Sequence, residues 1–431
     1  MMRYLTLALM TAATLACGGN NATVQCDVSP NCDLSGGGVC RAAPSGNRWC
    51  AYPDASCPSG YRWSSFQTGD GLSGVCVSSQ PDGGIDAPPD ASNDAVTVCR
   101  LRVVFVDGKP PFSSQDDGTG RREVWVSNPD GSGLINLSNS PSTDNAHPTW
   151  SPDGLSVAFS SNRSGRYDIF VVNAGGVGLA NLTSGAAFPH GGSRPVWSPD
   201  GTRIAFTAGT QVWVMNANGT GASPVATVNA PAVLTSDEIA WSPDSRQIVY
   251  GSSDGSTFAL YVATIGDSSA PLKINSGNAH ESQPGWAPSP RIAFTNLSDV
   301  FTVNGNGTGL FNVTKAAASQ NESPVQLSGG NMIAFSSTRG GHGEIWSIPS
   351  NGGTALQVTH NTIAFGGDVP NAASSDGNLI AFSRIIETVQ PNNSIVTTYQ
   401  LGVTTLDGSA VHLFNGTGEN NATEASFSAC P

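Results

Sequence analysis

The amino-acid sequence predicts an all-β fold for most of the chain, and three observations support this prediction. The 51 glycines and 28 prolines among 431 residues are too many for a helix-rich protein. Charged residues make up 12% of the chain, about half the usual share, which argues against coiled coils. Short apolar segments also recur at a regular spacing in the last three quarters of the sequence. We therefore expect short strands joined by tight turns.

The recurring segment has the pattern aliphatic, small or aliphatic, aromatic. Its copies begin at Val103, Val157, Ile204, Ile248, Ile292, Ile333 and Ile380. Successive copies start 54, 47, 44, 44, 41 and 47 residues apart, a period typical of four-stranded propeller blades. The repeat predicts a seven-bladed β-propeller over residues 99–431, with six or eight blades as the alternatives.

Each unit carries further strand signals after this first one. A second strand has an aromatic residue near its middle, at Trp125, Phe170, Trp213, Tyr261, Phe301 and Trp346, and the seventh unit is looser, around Tyr399 to Val403. Glycine-containing turns follow in most units and supply the positive φ angles of tight hairpins. The strand that closes each repeat is marked by Pro-x-Trp-Ser-Pro-Asp, as in Pro148 to Asp153 and Pro195 to Asp200. The tryptophans at positions 150, 197, 241 and 286 are predicted to pack between blades.

These motifs resemble the PD40 repeat of the TolB-type β-propellers, whose units read Trp-Ser-Pro-Asp-Gly, then Ile-Ala-Phe-Ser, then Ile-Tyr-Val. The resemblance covers about residues 99–431. It implies a propeller of the cell envelope that binds partners. The TolB family also has an α/β domain before its propeller and works with a peptidoglycan-associated lipoprotein. In this chain a cysteine-rich segment and a linker occupy that place, so we do not carry that partner over.

The first residues have the pattern of a secretory signal. Arg3 precedes the uncharged apolar run from Leu5 to Leu15, which is too short to span a bilayer. The segment Thr14 to Gly19 resembles the bacterial lipobox, which implies a signal peptide over residues 1–16 and lipidation of Cys17, followed by a tether over 17–25. The alternative is that Cys17 merely lies near an ordinary cleavage site. We expect membrane attachment through this lipid only.

Six of the nine cysteines lie close together in the next segment, at Cys26, Cys32, Cys40, Cys50, Cys57 and Cys76. In an exported chain, this density predicts a small three-disulfide module over residues 26–77, because so short a segment rarely stabilises itself by burial. Fifteen pairings are possible and the sequence does not choose among them. A zinc site is the rival interpretation, but the segment has no Cys-x-x-Cys pair and no histidine.

Residues 78–98 separate this module from the repeats. The segment is rich in Pro, Asp and Ala and has almost no large apolar residues, so it is predicted to be a linker. Its prolines and like-charged aspartates favour an extended chain.

The two remaining cysteines stand at the ends of the repeat region. Phe427 takes the tryptophan place of the last unit, and Cys430 lies three residues after it, as Asp153 lies three after Trp150. Cys99 lies four residues before Val103, as Asp153 lies four before Val157. Both cysteines therefore map to the same turn, and we expect a Cys99–Cys430 disulfide where the ring is cut.

In propellers generally, the loops that enter the tryptophan strands surround one mouth of the central channel. Here they carry candidate binding residues, together with Asp144 and Gln283: His147, His190, Arg194, Asp237, Glu238, His280, Glu281, Glu322, Asp368 and Glu424. Converging acids and histidines can bind a metal or a sugar, but polar side chains around a wet channel are also ordinary in propellers. We assign no catalytic residue, no metal site and no cofactor. The sequence has no Asp-x-Asp-x-Asp-Gly calcium loop. We also expect no hydrolase domain of the kind that follows the propeller in prolyl-oligopeptidase relatives.

The formal net charge of -13 argues against a nucleic-acid partner, which requires clustered basic residues. The sequence thus predicts an outer-membrane lipoprotein of the cell envelope, facing the periplasm or the cell surface. We expect a monomeric, non-catalytic scaffold that binds an envelope protein or glycan. Oligogalacturonate lyases resemble TolB-type propellers and use a histidine-rich metal site at the channel mouth. His147, His190 and His280 therefore leave a metal-dependent lyase as the alternative.

Overall fold

A computed structural model describes residues 39–42, 48–53, 61–63, 101–109, 121–185, 188, 191–225, 239–253, 258–274, 281–286, 291–315, 319–362, 365–390, 395–414 and 423–428. The chain divides into two compact units, Met1–Arg100 and Leu101–Pro431. No helix in these ranges is both long enough and apolar enough to cross a lipid bilayer. The signal peptide, Cys17 and the linker lie outside the described residues, and so do Cys99 and Cys430.

The described residues of the first unit form a small antiparallel sheet with the strand order β1-β2-β3. Its strands are β1 (Val39–Ala42), β2 (Arg48–Pro53) and β3 (Tyr61–Trp63). Two of the six clustered cysteines, Cys40 and Cys50, lie on these strands, and the other four lie outside the described residues.

The described residues of the second unit form seven four-stranded antiparallel sheets. The first strands are β4 (Val103–Lys109), β5 (Arg121–Ser127) and β6 (Ile135–Asn136), which are completed by the last strand of the chain. The next three sheets are β7 (Asn145–Trp150), β8 (Ser156–Ser161), β9 (Asp168–Asn173) and β10 (Ala180–Asn181); β11 (Ser193–Trp197), β12 (Arg203–Ala208), β13 (Gln211–Asn216) and β14 (Ser223–Pro224); and β15 (Ile239–Trp241), β16 (Gln247–Ser253), β17 (Phe258–Thr264) and β18 (Leu272–Lys273).

The remaining sheets follow the same order of strands. They are β19 (Glu281–Trp286), β20 (Arg291–Asn296), β21 (Asp299–Asn304) and β22 (Phe311–Asn312); β23 (Asn321–Gln326), β24 (Met332–Ser337), β25 (Glu344–Pro349) and β26 (Leu356–Gln357); and β27 (Gly366–Ala373), β28 (Leu379–Val389), β29 (Ile395–Thr405) and β30 (Val411–Phe414), with β31 (Thr423–Phe427) joining β4. The prediction of an all-β, seven-bladed propeller is confirmed.

The recurring apolar segment forms the second strand of each blade and supplies the core. The aromatic residue that ends each copy is almost completely buried. These residues are Phe105, Phe159, Phe206, Tyr250, Phe294, Phe335 and Phe382. The pattern is apolar on both sides because each sheet is covered on both faces by neighbouring blades. Trp150 and Trp241 lie in apolar clusters, and Trp197 and Trp286 pack against two more, as predicted for residues wedged between blades.

The Ser-Pro-Asp motif forms a tight turn after the inner strand. In the first complete blade the Ser151 hydroxyl donates to Asp153 Oδ1 at 2.5 Å, and the Ser156 backbone N–H donates back to Ser151 Oγ at 2.9 Å. Gly154 has a φ of 67°, which glycine adopts without strain. The same Ser-to-Asp bond recurs at Ser198 and Ser242. Sequence and backbone geometry therefore agree in the turn that begins each repeat.

The ring is closed by pairing the two ends of the repeat region. β31 pairs with β4, and Phe427 lies opposite Val103 as Trp150 lies opposite Val157 in the next blade. Phe427 is 8% exposed and packs in a cluster with Val103 and Phe105. Beyond it, the Ser428 N–H donates to the Arg102 carbonyl at 2.8 Å. Phe427 thus occupies the predicted tryptophan place.

The blade expected to be loosest has the longest strands of the propeller. Its two central strands, β28 and β29, have 11 residues each and are paired throughout, from Leu379 opposite Thr405 to Val389 opposite Ile395. The weak repeat motif around Tyr399 thus reflects an unusually long hairpin with a different sequence.

Candidate functional site

The inner strands of the propeller surround a cavity of about 660 Å³, which is the central channel. Residues from β7, β11, β15, β19, β23 and β27 line it. This volume lies in the range that holds small ligands. The channel is thus the natural candidate site in the part of the chain that the structure describes.

Six inner strands carry an irregularity where they pair with the second strand of their blade. The pairing shifts by one residue, as expected for a β-bulge, in β7, β11, β19, β23, β27 and β31. In all of these strands except β27, one residue of the bulge has a left-handed backbone with φ between 53° and 56°, and these residues are His147, Arg194, Gln283, Ser323 and Glu424. We call these five residues the channel ring. A left-handed non-glycine residue costs free energy, so its recurrence means that the surrounding structure enforces it.

The channel ring follows a simple sequence rule. Each member lies three residues before the tryptophan place of its strand, which is occupied by Trp150, Trp197, Trp286, Gln326 or Phe427. The first four ring residues line the cavity, and a proline follows each of them, at Pro148, Pro195, Pro284 and Pro324. These four ring residues therefore contribute an imidazole, a guanidinium, an amide and a hydroxyl to the channel lining, together with four prolines.

Side chains of adjacent strands hold the ring backbone in place. The His147 N–H donates to Glu424 Oε2 at 2.6 Å, and the Arg194 N–H donates to Ser160 Oγ at 2.8 Å. The Ser323 N–H donates to Gln283 Oε1 at 2.8 Å. In each case the acceptor comes from the preceding blade. Two of the bulges, at His147 and Ser323, are thus linked directly to the bulge of the preceding blade.

Gln283 and Ser323 are joined directly to each other within the ring. Gln283 Nε2 donates to Ser323 Oγ at 2.9 Å, and the Thr295 hydroxyl donates to Gln283 Oε1 at 2.9 Å. These bonds fix the amide orientation, so this part of the channel wall is organised before any ligand arrives.

A charge cluster lies beside the ring where the closing blade meets the next one. Arg122 on β5 donates two hydrogen bonds to the carboxylate of Asp144, at 2.7 and 2.8 Å, and a third to Glu424 at 3.2 Å. The Tyr167 hydroxyl also donates to Asp144. His147 Nε2 lies 3.9 Å from Glu424 Oε1. The cluster thus connects the first and last parts of the propeller.

Burial and pairing act in opposite directions on the ionisation of this cluster. Burial would raise the pKa of Asp144, but hydrogen bonds from Arg122 and Tyr167 and the guanidinium charge hold it below its ordinary value. Burial, assisted by the Asp144 carboxylate, raises the pKa of Tyr167 to about 12. For Arg122, burial lowers the pKa, but the two carboxylates outweigh it and the net shift is upward. The ionised pair Arg122 and Asp144 is therefore the stable state at neutral pH.

Two of the predicted binding residues are used inside the protein. Asp368 is fully buried, and its carboxylate accepts two bonds from Arg384 at 2.7 and 2.8 Å. Glu281 is 2% exposed and accepts the Leu260 N–H at 3.1 Å. Both side chains stabilise blades and are not presented to the channel.

The other predicted residues divide into three groups. His147, Arg194 and Glu424 belong to the channel ring, while Glu322 is exposed on β23 beside Ser323. His190, Asp237, Glu238 and His280 lie outside the described residues. Sequence reasoning missed Arg122 and Ser323 as site residues. The offset of three from the tryptophan place would have identified Ser323, whereas nothing in the repeat marks Arg122.

Within the described ranges, no three His, Cys, Asp or Glu side chains are arranged to hold a metal ion. The described ring residues that line the channel offer only one imidazole, accompanied by a guanidinium, an amide and a hydroxyl. This donor set does not fit a transition metal, which favours several imidazoles or carboxylates.

Comparison with known proteins supports the fold. Residues 118–294 match the PD40 family, described as the TolB beta propeller domain. Among solved structures, TolB from Acinetobacter baumannii is 14% identical with a TM-score of 0.46, over 76% of this chain and 67% of that one. An oligogalacturonate lyase from Vibrio parahaemolyticus is 13% identical with a TM-score of 0.50, over 73% and 86%.

A structure from a study of two prolyl endopeptidases is 12% identical with a TM-score of 0.52, over 76% of this chain and 50% of that one. At these identities, the likenesses with TM-scores of 0.50 and 0.52 show a shared fold only. Together, the repeat motifs, the seven sheets and the family match lead to one conclusion. The second unit of this chain is a seven-bladed β-propeller, and residues 118–294 within it match the PD40 family.

Proposed function

We propose that this protein is an exported, lipid-anchored, non-catalytic scaffold that binds an envelope protein or glycan at the mouth of its propeller channel. The observation that carries the proposal is the composition of the channel ring. Its members are a mixed polar set held by hydrogen bonds between blades, and this set is suited to recognition by contact.

The same ring argues against the lyase alternative. A shared metal site needs several side chains whose ligand atoms lie about 2.0 to 2.2 Å from one ion. His147 occupies a ring position, but the ring positions of the blades near His190 and His280 are filled by Arg194 and Gln283. His190 lies seven residues before Trp197 and His280 six before Trp286, so neither has the offset of three.

The buried acids support the scaffold role in a second way. Asp144, Glu281 and Asp368 are at most 2% exposed and bind groups of the protein itself. Their charges are therefore committed to holding blades together rather than to acid–base chemistry on a substrate.

The experiment is an affinity pulldown from native cell envelopes with the full chain as bait. An Arg194→Glu variant reverses a charge on the channel wall, and we expect it to lose the captured partner. Arg246→Glu is the matched control, because Arg246 is exposed in the turn between β15 and β16 and does not line the cavity.

Elemental analysis and an activity assay separate the scaffold from the lyase. We expect no stoichiometric transition metal after mild dialysis, and no unsaturated product from oligogalacturonate with added manganese. About one equivalent of manganese or zinc, lost when His147, His190 and His280 are all changed to alanine, would overturn the scaffold proposal in favour of the lyase. Equal capture by Arg194→Glu and the control would overturn the assignment of the channel mouth.

A further inference from the structure

The small sheet of the first unit places two of the six clustered cysteines directly opposite each other. β1 pairs with β2 in a register that sets Val39 against Ala51, Cys40 against Cys50 and Arg41 against Trp49. We propose that Cys40 and Cys50 are joined by a disulfide that links the two strands of this hairpin. The proposal rests on the export part of the proposed function, because an oxidising compartment is required.

Antiparallel geometry is compatible with this bond. Residues directly opposite each other share a face of the sheet, and their Cα atoms lie about 4.5 to 5.5 Å apart. Disulfides join residues whose Cα atoms lie roughly 4.4 to 6.8 Å apart. The pairing therefore needs no rearrangement of the strands.

The position of β2 strengthens the argument. β2 is the central strand, and its other neighbour, β3, pairs with it over residues 51–53 only, from Ala51 opposite Trp63 to Pro53 opposite Tyr61. Within the described residues, Cys40 is thus the one cysteine placed against Cys50.

The chemistry of bond formation is ordinary thiol–disulfide exchange. The two thiols lose two protons and two electrons in total as the S–S bond forms. A disulfide-bearing oxidant, such as a thiol oxidoreductase or oxidised glutathione, is reduced to two thiols in the same exchange. Fixing this pair lowers the number of possible pairings among the six cysteines from fifteen to three.

Peptide mapping of the full, non-reduced chain tests the proposal. Cleavage after arginine and before aspartate places each of the six cysteines in a separate fragment. Cys40 falls in residues 33–41, Cys50 in 49–53 and Cys57 in 54–62. We expect the fragments 33–41 and 49–53 to be linked, and to separate on reduction.

Thiol labelling of single variants gives an independent readout. Cys40→Ser is expected to release one reactive thiol, located at Cys50, and Cys57→Ser is the matched control that releases a thiol elsewhere. A bond from Cys40 to any other cysteine would overturn the proposed pairing and leave export intact. Six free thiols in protein recovered from the envelope would overturn the pairing and the oxidising compartment together.

Discussion

Arg122 connects two carboxylates where the closing blade meets the next one. It neutralises Asp144, which is 1% exposed, and also contacts Glu424, whose second oxygen fixes the channel ring at His147. Removing one partner of a buried ion pair is far more damaging than removing both, because the remaining charge has left water without compensation.

Changing Arg122 to Met is therefore expected to lower the free energy of unfolding by about 3 to 5 kcal/mol. Urea denaturation measures the change. The control is Arg166→Met, which removes a partly exposed arginine from Asp168 and should cost about 1 kcal/mol or less. Asp168 keeps hydrogen bonds from Ser164, Asn181 and Thr183, so its charge stays satisfied. Equal losses in both variants would contradict the special role of Arg122.

The lowered pKa of Asp144 predicts a dependence of stability on acid. The ordinary value is 3.8, and the folded pKa lies below it, so the unfolded chain takes up a proton first as the pH falls. The stability from this group is present above about pH 4 and is lost as the pH falls through the folded pKa.

An Asp144→Asn variant should accordingly show a shallower decline of unfolding free energy below pH 4. The slope should be smaller by up to about 1.4 kcal/mol per pH unit, the effect of one proton. Denaturant titrations at several pH values measure it. Parallel curves for the two proteins would contradict the coupling.

At the scale of elements, the repeat explains why the strands were predictable and the charge cluster was not. Ile204, Ala205 and Phe206 are buried, and they belong to a local sequence pattern that recurs in every blade. The pattern of one strand therefore predicts the equivalent strands of the other blades. Arg122 meets Glu424 across 302 positions of sequence, and no periodic signal connects them. The channel ring lies between these cases, because its offset from the tryptophan place is regular but its residue types vary.

The pairing of β31 with β4 joins the two propeller segments that lie next to Cys430 and Cys99 in the sequence, the cysteines of the predicted Cys99–Cys430 disulfide. The described strands bring Ser428 and Arg102 into hydrogen-bond contact, at 2.8 and 2.9 Å, two residues before Cys430 and three after Cys99. We expect intact-mass analysis and peptide mapping of exported protein to show a Cys99–Cys430 bond. In the chain-entropy model, a loop this long gives a stabilisation on the order of 5 kcal/mol as an upper figure. A free thiol at either position would refute it.

At the scale of the whole molecule, the propeller and the predicted linker before it differ in the apolar residues that they can bury. The propeller buries one aromatic residue of the recurring segment in each of its seven blades, whereas residues 78–98 lack the apolar content for burial. We predict that limited proteolysis cuts first between Gln80 and Val98 and leaves a resistant core that begins near Cys99. N-terminal sequencing of the core identifies the site. Early cleavage inside a blade would contradict this division.

Anchoring is predicted to depend on one residue. Cys17→Ser should move the protein from the membrane pellet to the soluble fraction, because lipid at that position is the proposed attachment. Cys99→Ser serves as a control that removes a cysteine without touching the lipobox-like segment. If the Cys17→Ser protein still sediments with membranes, attachment through this residue is wrong.

The pairing of β31 with β4 also determines the order in which the blades can be completed. β4 is the first propeller strand to be synthesised and β31 the last, and their paired residues Val103 and Phe427 are 324 positions apart. The six other blades each consist of one contiguous segment, so each can form as soon as its own residues are available. The remaining blade stays without its inner strand until Thr423–Phe427 has been synthesised, and non-local pairing of this kind is slow. Ring closure is thus expected to be the late, rate-limiting event of folding, and a chain shortened by its last few residues would keep six blades without a closed circle.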